Sequence, residues 1–173
     1  MKFNYEHDNP GGLVLIDEYY YNEFNSDILY SFDIFLDYKG KTELIYDFPD
    51  EKWEVVRARE SVAFKDFCNS GKMIVFLANK SIENCEIDFM DGECDADMFL
   101  DVPSGKLVLV NASELIQCIA YPGLEMEKIL EINVEKGTYA VKNDGMKKIS
   151  CYKNASKKST FNNFLELTGS NSK

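Results

Sequence analysis

Short apolar stretches with a two-residue period recur along this chain and restrict its fold more than any other feature. Turn-forming groups such as Asp91-Gly92 and Ser104-Gly105 separate them about every ten residues. These stretches predict strands over residues 13–16, 28–36, 43–48, 54–64, 73–78, 86–90, 95–100, 106–110, 129–134 and 138–141. Short strands rich in Val, Ile, Phe and Tyr predict an all-β fold, either an antiparallel sandwich or a partly open barrel.

Helical patterns are few. Residues 17–24 predict one short helix, and residues 112–121 predict another with Ser113 as its N-cap. The chain has 173 residues and is 45% hydrophobic, which is typical of a globular domain and enough to fill one core. We therefore expect one β domain over residues 1–167, ending in a docked strand or helix, and a frayed tail over residues 168–173.

The net charge of −11 is unevenly distributed. Residues 146–173 hold six lysines and one glutamate, so residues 1–145 carry more than the whole negative excess. An acidic body repels nucleic acid and anionic membranes by the same physics that attracts them to basic surfaces. Two interpretations remain: the acid only keeps the protein soluble, or it docks a basic protein partner.

The cysteines are odd in number and contain no C-x-x-C pair: Cys68, Cys85, Cys94, Cys118 and Cys151. They lie among apolar residues, where a free cysteine behaves as a small buried hydrophobe, whereas a disulfide framework favours an even count in a secreted chain. The N-terminal residues lack the apolar segment of a signal peptide, and the longest apolar runs are too short to span a bilayer. We therefore expect a reduced protein in the cytoplasm.

Residues 86–98, EIDFMDGECDADM, hold their carboxylates around Asp91-Gly92, which is the preferred loop of a type I′ hairpin. A hairpin closed there pairs Asp88 with Asp95, so that like charges lie opposite each other and destabilise the pair. Side chains alternate along a strand, which separates two faces. The apolar face holds Cys85, Ile87, Phe89, Cys94, Ala96 and Met98, and the acidic face holds Glu86, Asp88, Glu93, Asp95 and Asp97.

Three interpretations of this acidic face compete. It is solvated and screened by salt, it binds a divalent cation, or it meets a basic protein surface. The calcium-loop pattern fails, because a loop that starts at Asp91 has Ala96 in place of glycine and Val102 in place of glutamate. Trp53, which has acidic neighbours on both sides in the sequence, is either a half-buried strand residue or an exposed anchor for the partner.

The residue inventory argues against catalysis. His7 is the single histidine, which argues against histidine dyads and multi-histidine zinc sites, and the glycines match neither the P-loop nor the dinucleotide fingerprint. Paired carboxylates can hydrolyse glycosides, but such enzymes generally use a deep, aromatic-lined cleft on a larger scaffold. We therefore predict a protein that is not an enzyme and has no catalytic residue, no cofactor and no metal.

Three stretches in the second half of the chain follow a recognisable order: GKLVLVNA at residues 105–112, INVEKGTYAV at residues 132–141 and LEL at residues 165–167. They resemble the motifs G-x-L-x-L-x-(D/N)-(A/S), I-x-(L/V)-x-x-G-x-Y-x-V and L-x-L of bacterial immunity proteins from polymorphic toxin systems. The opening GGLVLI at residues 11–16 is similar to the start of the same group. The resemblance leaves out residues 45–100, and it implies a cytosolic binder that neutralises a toxin.

The charge pattern and the resemblance together predict a non-catalytic acidic binding protein. It would be an immunity protein that blocks a basic toxin, such as a nuclease, by occlusion. The predicted partner-binding residues are Glu86, Asp88, Glu93, Asp95, Asp97 and Trp53. The alternative is a β-sandwich module that binds a divalent metal or a carbohydrate.

Overall fold

A computed structural model of the chain describes residues 1–7, 11–36, 52–78, 82–96, 98–144, 147–153 and 164–166. The strands within these ranges are β1 (Lys2–His7), β2 (Gly11–Asp17), β3 (Met73–Ala78), β4 (Ile82–Asp91), β5 (Met98–Val102), β6 (Lys106–Asn111), β7 (Lys128–Asn133), β8 (Gly137–Asp144), β9 (Lys148–Lys153) and β10 (Phe164–Glu166). The helices are α1 (Ser26–Leu36), α2 (Trp53–Glu60), α3 (Val62–Phe67) and α4 (Ala112–Ala120), with a 3-10 helix (Glu18–Glu23) and a π-helical turn (Cys68–Lys72).

The described strands form two five-stranded sheets. Sheet A has the order β1-β4-β9-β8-β5, and sheet B has the order β10-β3-β2-β6-β7. Most neighbouring strands are antiparallel, but β4 pairs with β9, and β3 with β10, in parallel. The predicted β-dominated sandwich is therefore confirmed, with mixed rather than purely antiparallel sheets. Among the described helices, none is long and apolar enough to cross a membrane.

The main core lies between the two sheets and is built from alternating side chains. In β4, Cys85, Ile87 and Phe89 point into this core, and in β2 the side chains of Leu13 and Leu15 meet them from sheet B. Each Å² of apolar surface removed from water contributes about 25 cal/mol. The apolar side chains that recur at every second residue therefore face this core, and their burial holds the two sheets together.

A second core lies between the other face of sheet B and the helices. Val14 and Ile16 of β2 point to this side, where Phe32 of α1 stacks on Phe64 of α3 with ring centroids 4.1 Å apart. The molecule therefore has three layers: helices, sheet B and sheet A. The small apolar cluster on the outer face of sheet A draws on no residue of a described helix.

Two of the predicted strands are wrong, because they are helices. Residues 28–36 lie in α1, and residues 54–64 lie in α2 and α3. The β-branched and aromatic content of these residues fits a strand, but Phe32 and Phe35, which lie three positions apart, are both buried against sheet B. Packing on one helical face overrides the local strand propensity. The helical layer is consequently larger than the one or two short helices that were predicted.

Strand prediction also missed two elements and misplaced a third. The strands β1 and β9 were not predicted, although both alternate in burial. The strand predicted over residues 95–100 begins only at Met98. The predicted terminal element is the strand β10, which pairs with β3. The strand predicted over residues 43–48, the Phe161–Asn163 stretch and the tail over residues 168–173 lie outside the described residues.

Both predicted helices are confirmed, but the predicted cap is wrong. Residues 17–24 contain the 3-10 helix, and residues 112–121 contain α4. The N-cap of α4 is Asn111, whose backbone is extended at φ −65° and ψ 137°, and Ser113 lies inside the helix. The side chain of Asn111 makes no capping hydrogen bond. Asn111 is also the last residue of β6, so the strand is followed directly by the helix.

Asp17 joins the end of β2 to the turn before β6. Its fully buried carboxylate accepts hydrogen bonds from the backbone N–H of Tyr19 at 2.9 Å and from Ser104 Oγ at 2.5 Å. The backbone N–H groups of Ser104 and Gly105 also donate to it, at 3.1 and 3.2 Å. A buried charge is tolerated only when it is hydrogen-bonded in this way. Asp17 therefore has a structural role and is not an exposed carboxylate that could bind a partner.

We expect the substitution Gly105→Ala to destabilise the fold strongly. Gly105 lies at φ 82°, and an added Cβ would come within 2.7 Å of the carbonyl oxygen of Val134, whose N–H donates to the Gly105 oxygen. The expected loss in the free energy of unfolding is about 2–4 kcal/mol, measured by urea denaturation.

Gly92→Ala is the matched control for this prediction. Gly92 also lies at positive φ, 129°, but an added Cβ would meet no atom within 4 Å. It should therefore cost only the backbone strain, about 1 kcal/mol. Equal losses for the two variants would contradict the close approach of Gly105 to Val134.

Candidate functional site

The predicted acidic hairpin is wrong. Strand β4 pairs with β1 on one side and with β9 on the other, and β5 pairs with β8, so that two strands separate β4 from β5 in sheet A. The residue predicted to lie opposite Cys85, Met98, instead pairs with Val141. The physical reason is the core: β9 brings the fully buried Ile149 and Cys151 to the place beside β4.

From its last residue, Asp91, β4 continues into a segment that crosses the outer face of sheet A. We call residues 91–96 the acidic crossover. Ala96 is 5% exposed and packs with Phe99 and Ala140, and the partly buried Cys94 and Tyr152 lie against this cluster. The acidic crossover is therefore fixed to the sheet by small apolar contacts and not by a ladder of hydrogen bonds to β4.

Alternation along the acidic crossover follows the prediction, although its neighbours differ. Cys94 and Ala96 face the protein, whereas Glu93 and Asp95 are exposed. The apolar side rests on the outer face of sheet A and not on the main core. Two of the five predicted carboxylates are thus presented to solvent from a fixed segment.

Glu86 and Asp88 have a different environment, because cations from neighbouring strands lie beside them. Lys2 Nζ is 3.2 Å from Glu86 Oε1 and 3.7 Å from Asp88 Oδ2, and Lys148 Nζ is 3.6 Å from Glu86 Oε1. The N-terminal ammonium of Met1 is 3.5 Å from Asp88 Oδ1. The hydrogen bond to Glu86 and the charges of both carboxylates raise the pKa of Lys2. The predicted repulsion between facing carboxylates is replaced by pairing with β1 and β9.

The predicted site residues consequently fall into separate environments. The Asp88 side chain is only 7% exposed, and Glu86 is partly buried. Trp53 is the first residue of α2, which packs on α1 and α3 in the helical layer, and its side chain lies outside what the structure describes, as does Asp97. The structure therefore does not gather Trp53 and the acidic crossover on one layer.

Asp91, which the sequence placed in the turn and at the start of the rejected calcium loop, is not among the predicted partner-binding residues. It ends β4 and is exposed, and neither Asp91 nor Glu93 forms an ion pair with a described residue. Lys153 lies opposite Asp91 in the ladder, but its ammonium pairs with Glu135. Asp91 could have been included in the predicted site, because it lies within the same acidic run of the sequence.

Burial limits the reactivity of two of the cysteines. Cys68 and Cys151 are fully buried and form no disulfide, and burial raises the pKa of both thiols, which keeps them protonated and poorly nucleophilic. Within the described ranges, no group of three or more His, Cys, Asp or Glu side chains is arranged to hold a metal ion.

Comparisons with protein-family models, with curated proteins and with solved structures gave no match for this chain.

We expect Lys2→Glu to lower the urea midpoint of unfolding, because a third carboxylate would then lie beside Glu86 and Asp88. The loss should shrink as salt is added, since salt screens exposed charges. Urea denaturation at low and high ionic strength measures both effects.

Lys142→Glu is the control for this prediction. Lys142 is exposed on β8 of the same sheet and forms no ion pair with a described residue, so the same change of net charge should have little effect. A loss as large as that of Lys2→Glu would show that net charge, and not the local network, sets the stability.

Proposed function

We propose that this chain is a non-catalytic acidic binding protein, an immunity protein that acts in the cytoplasm and neutralises a basic toxin by occlusion. The observation that carries the proposal is the acidic crossover. Asp91 and Glu93 are exposed and have no cationic partner among the described residues, while Ala96 and Cys94 fix the segment to sheet A. Charges that are both fixed and uncompensated suit a complementary basic surface.

The fixed backbone matters because binding normally requires loops to be ordered. A segment that is already packed loses less conformational entropy when a partner docks, so more of the interaction energy contributes to affinity. The uncompensated carboxylates also attract a basic partner from a distance and raise the association rate. Both effects are expected of a protein that must intercept a toxin quickly.

Within the predicted site, the structure supports different roles for different carboxylates. Glu93 and Asp95, with Asp91, are the groups that we expect to meet lysine and arginine side chains of the toxin. Glu86 and Asp88 are paired with Lys2 and Lys148, so we assign them to holding β1 and β9 beside β4. In this proposal the toxin acts on a phosphate-containing substrate, and the carboxylates bind to the basic surface that would otherwise bind the phosphates of that substrate.

The test begins with the gene next to the one that encodes this chain. If it encodes a secreted protein with a basic C-terminal domain, expression of that domain in a bacterial host should arrest growth, and coexpression of this chain should restore it. Purified proteins then give the association rate by stopped-flow fluorescence over a range of ionic strength.

We expect the double substitution Asp91→Lys/Glu93→Lys to abolish the protection. The association rate should fall at least about tenfold at low salt, and its salt dependence should flatten, because steering by these charges is lost. The change is confined to exposed side chains, so circular dichroism should show an intact fold.

The matched control is Asp33→Lys/Asp66→Lys. Both residues are exposed on helices, on α1 and α3, and the two double variants change the net charge equally. The control should keep full protection. Undiminished protection by Asp91→Lys/Glu93→Lys, or equal damage by both pairs, would overturn the assignment of the site to the acidic crossover.

A further inference from the structure

A tight, exposed turn follows α4. The backbone N–H of Leu124 donates to the carbonyl oxygen of Tyr121 at 3.3 Å, and Gly123 lies at φ 110°. With Pro122 in the second position and Gly123 in the third, this is the pattern of a type II β-turn. Proline fixes one backbone angle, and the hydrogen bond closes the turn, so the backbones of Tyr121 and Leu124 are held close together.

These flanking side chains are large, apolar and exposed. Tyr121 is 66% exposed and Leu124 is 55% exposed, whereas most large apolar side chains of the described chain are buried in the two cores. Aromatic side chains that are exposed on a rigid element are frequent anchors of protein interfaces. The turn therefore presents apolar area that the fold itself does not use.

Contacts on both sides of the turn fix it to the molecule. The N–H of Tyr121 donates to the carbonyl oxygen of Gln117 in α4 at 2.9 Å. On the other side, the N–H of Glu127 donates to Glu114 Oε1 at 3.1 Å, and the Met126 side chain packs against the helical core. The turn is thus anchored before and after its exposed tip.

The surroundings of the turn are acidic. Glu125 and Glu127 are exposed and form no ion pair with a described residue. The lysine that follows them, Lys128, forms ion pairs with other carboxylates: its ammonium lies 2.8 Å from Glu18 Oε1 and also contacts Glu131. An exposed tyrosine, an exposed leucine and two uncompensated carboxylates therefore lie within seven residues of the chain.

We propose that residues 121–127 form a docking surface for an arginine-bearing segment of a partner protein. Arginine is the cation that this chemistry fits, because its planar guanidinium stacks on a tyrosine ring and also pairs with a carboxylate through two hydrogen bonds. Leu124 supplies apolar area for the side chain next to the arginine. Lysine stacks less well and pairs through a point charge, so it should bind more weakly.

Charge complementarity selects this occupant over two others. A second copy of this chain would bring another net charge of −11 to an acidic surface, and nucleic acid would bring phosphates. The surface is separate from the acidic crossover, since the turn follows α4 in the helical layer and the crossover lies on sheet A. The inference therefore stands without the proposed function.

The test uses a random-peptide phage library, selected on the immobilised full chain. Peptides that bind are then synthesised with a fluorescent label, and their affinities are measured by fluorescence anisotropy. We expect enrichment of sequences with arginine beside an aliphatic or aromatic residue. Replacing each arginine by lysine should weaken binding several-fold, and Tyr121→Ser/Leu124→Ser should weaken it at least about tenfold.

Three further measurements decide the site. Glu125→Lys/Glu127→Lys should weaken binding as strongly, whereas Asp91→Lys/Glu93→Lys should not. Tyr19→Ser/Val62→Ser removes one aromatic and one aliphatic side chain that are more than half exposed elsewhere, and it should leave the affinity unchanged. Thermal denaturation of each variant should show that the exposed substitutions preserve the fold.

The opposite results would overturn the inference. These are the absence of enriched peptides, enrichment without arginine, or affinities that the Tyr121 and Leu124 substitutions do not change. Sedimentation of the wild-type chain as a dimer that Tyr121→Ser/Leu124→Ser converts to a monomer would identify a second copy as the occupant and would also reject the proposal.

Discussion

The parallel pairing of β4 with β9 is the constraint on which the rest of sheet A depends. It brings Ile149 and Cys151 beside Ile87 and Phe89 in the core, and it places the two strands that lie between β4 and β5. Because β5 cannot then follow β4 as a hairpin partner, the intervening residues must cross the outer face of the sheet. The acidic crossover is therefore a consequence of strand order. Its small inward side chains suit a close passage over the sheet, and its outward carboxylates remain in water.

The same pairing explains why carboxylates that are neighbours in the sequence have different fates. Those on β4 meet lysines from β1 and β9, which are distant in the sequence and adjacent in the sheet. Beyond Gly92 the chain leaves the sheet, and Glu93 forms no ion pair with a described residue. Surface ion pairs contribute little to stability, with a typical magnitude of about 0–1 kcal/mol. The effect of the Lys2 and Lys148 pairs is mainly to remove repulsion within the sheet, and it leaves the excess negative charge concentrated where the chain departs from it.

Much of the fold was predictable because the two-residue period is a local property. The buried face of β4 follows from it, and so does the inward placement of Cys94 and Ala96, whereas β2, β3 and β6 are continuous apolar runs that are buried on both faces. What failed required information from distant residues. Periodicity cannot tell which strand lies beside β4, because the Asp91-Gly92 step is compatible with a hairpin and with a crossover. Nor does it show that sheet B has a second apolar face, whose burial turns residues 28–36 into a helix. The sequence shows the acidic run over residues 86–98 directly. Which of its carboxylates pair with lysines depends on the strand order, which the sequence does not show.

The three-layer arrangement limits where a partner can bind. Sheet B is covered on both faces, by sheet A and by the helices, so exposed surface is left on the outer face of sheet A and on the helical layer. The first carries the exposed carboxylates of the acidic crossover, and charges of this kind affect association rate and specificity more than affinity. The second carries exposed apolar groups at Tyr121 and Leu124, and buried apolar area is what normally supplies affinity. The two surfaces lie on different layers. A small partner can bind to only one of them. A partner that is attracted by the acidic crossover and also binds at Tyr121 and Leu124 must be large enough to extend around the edge of the sandwich.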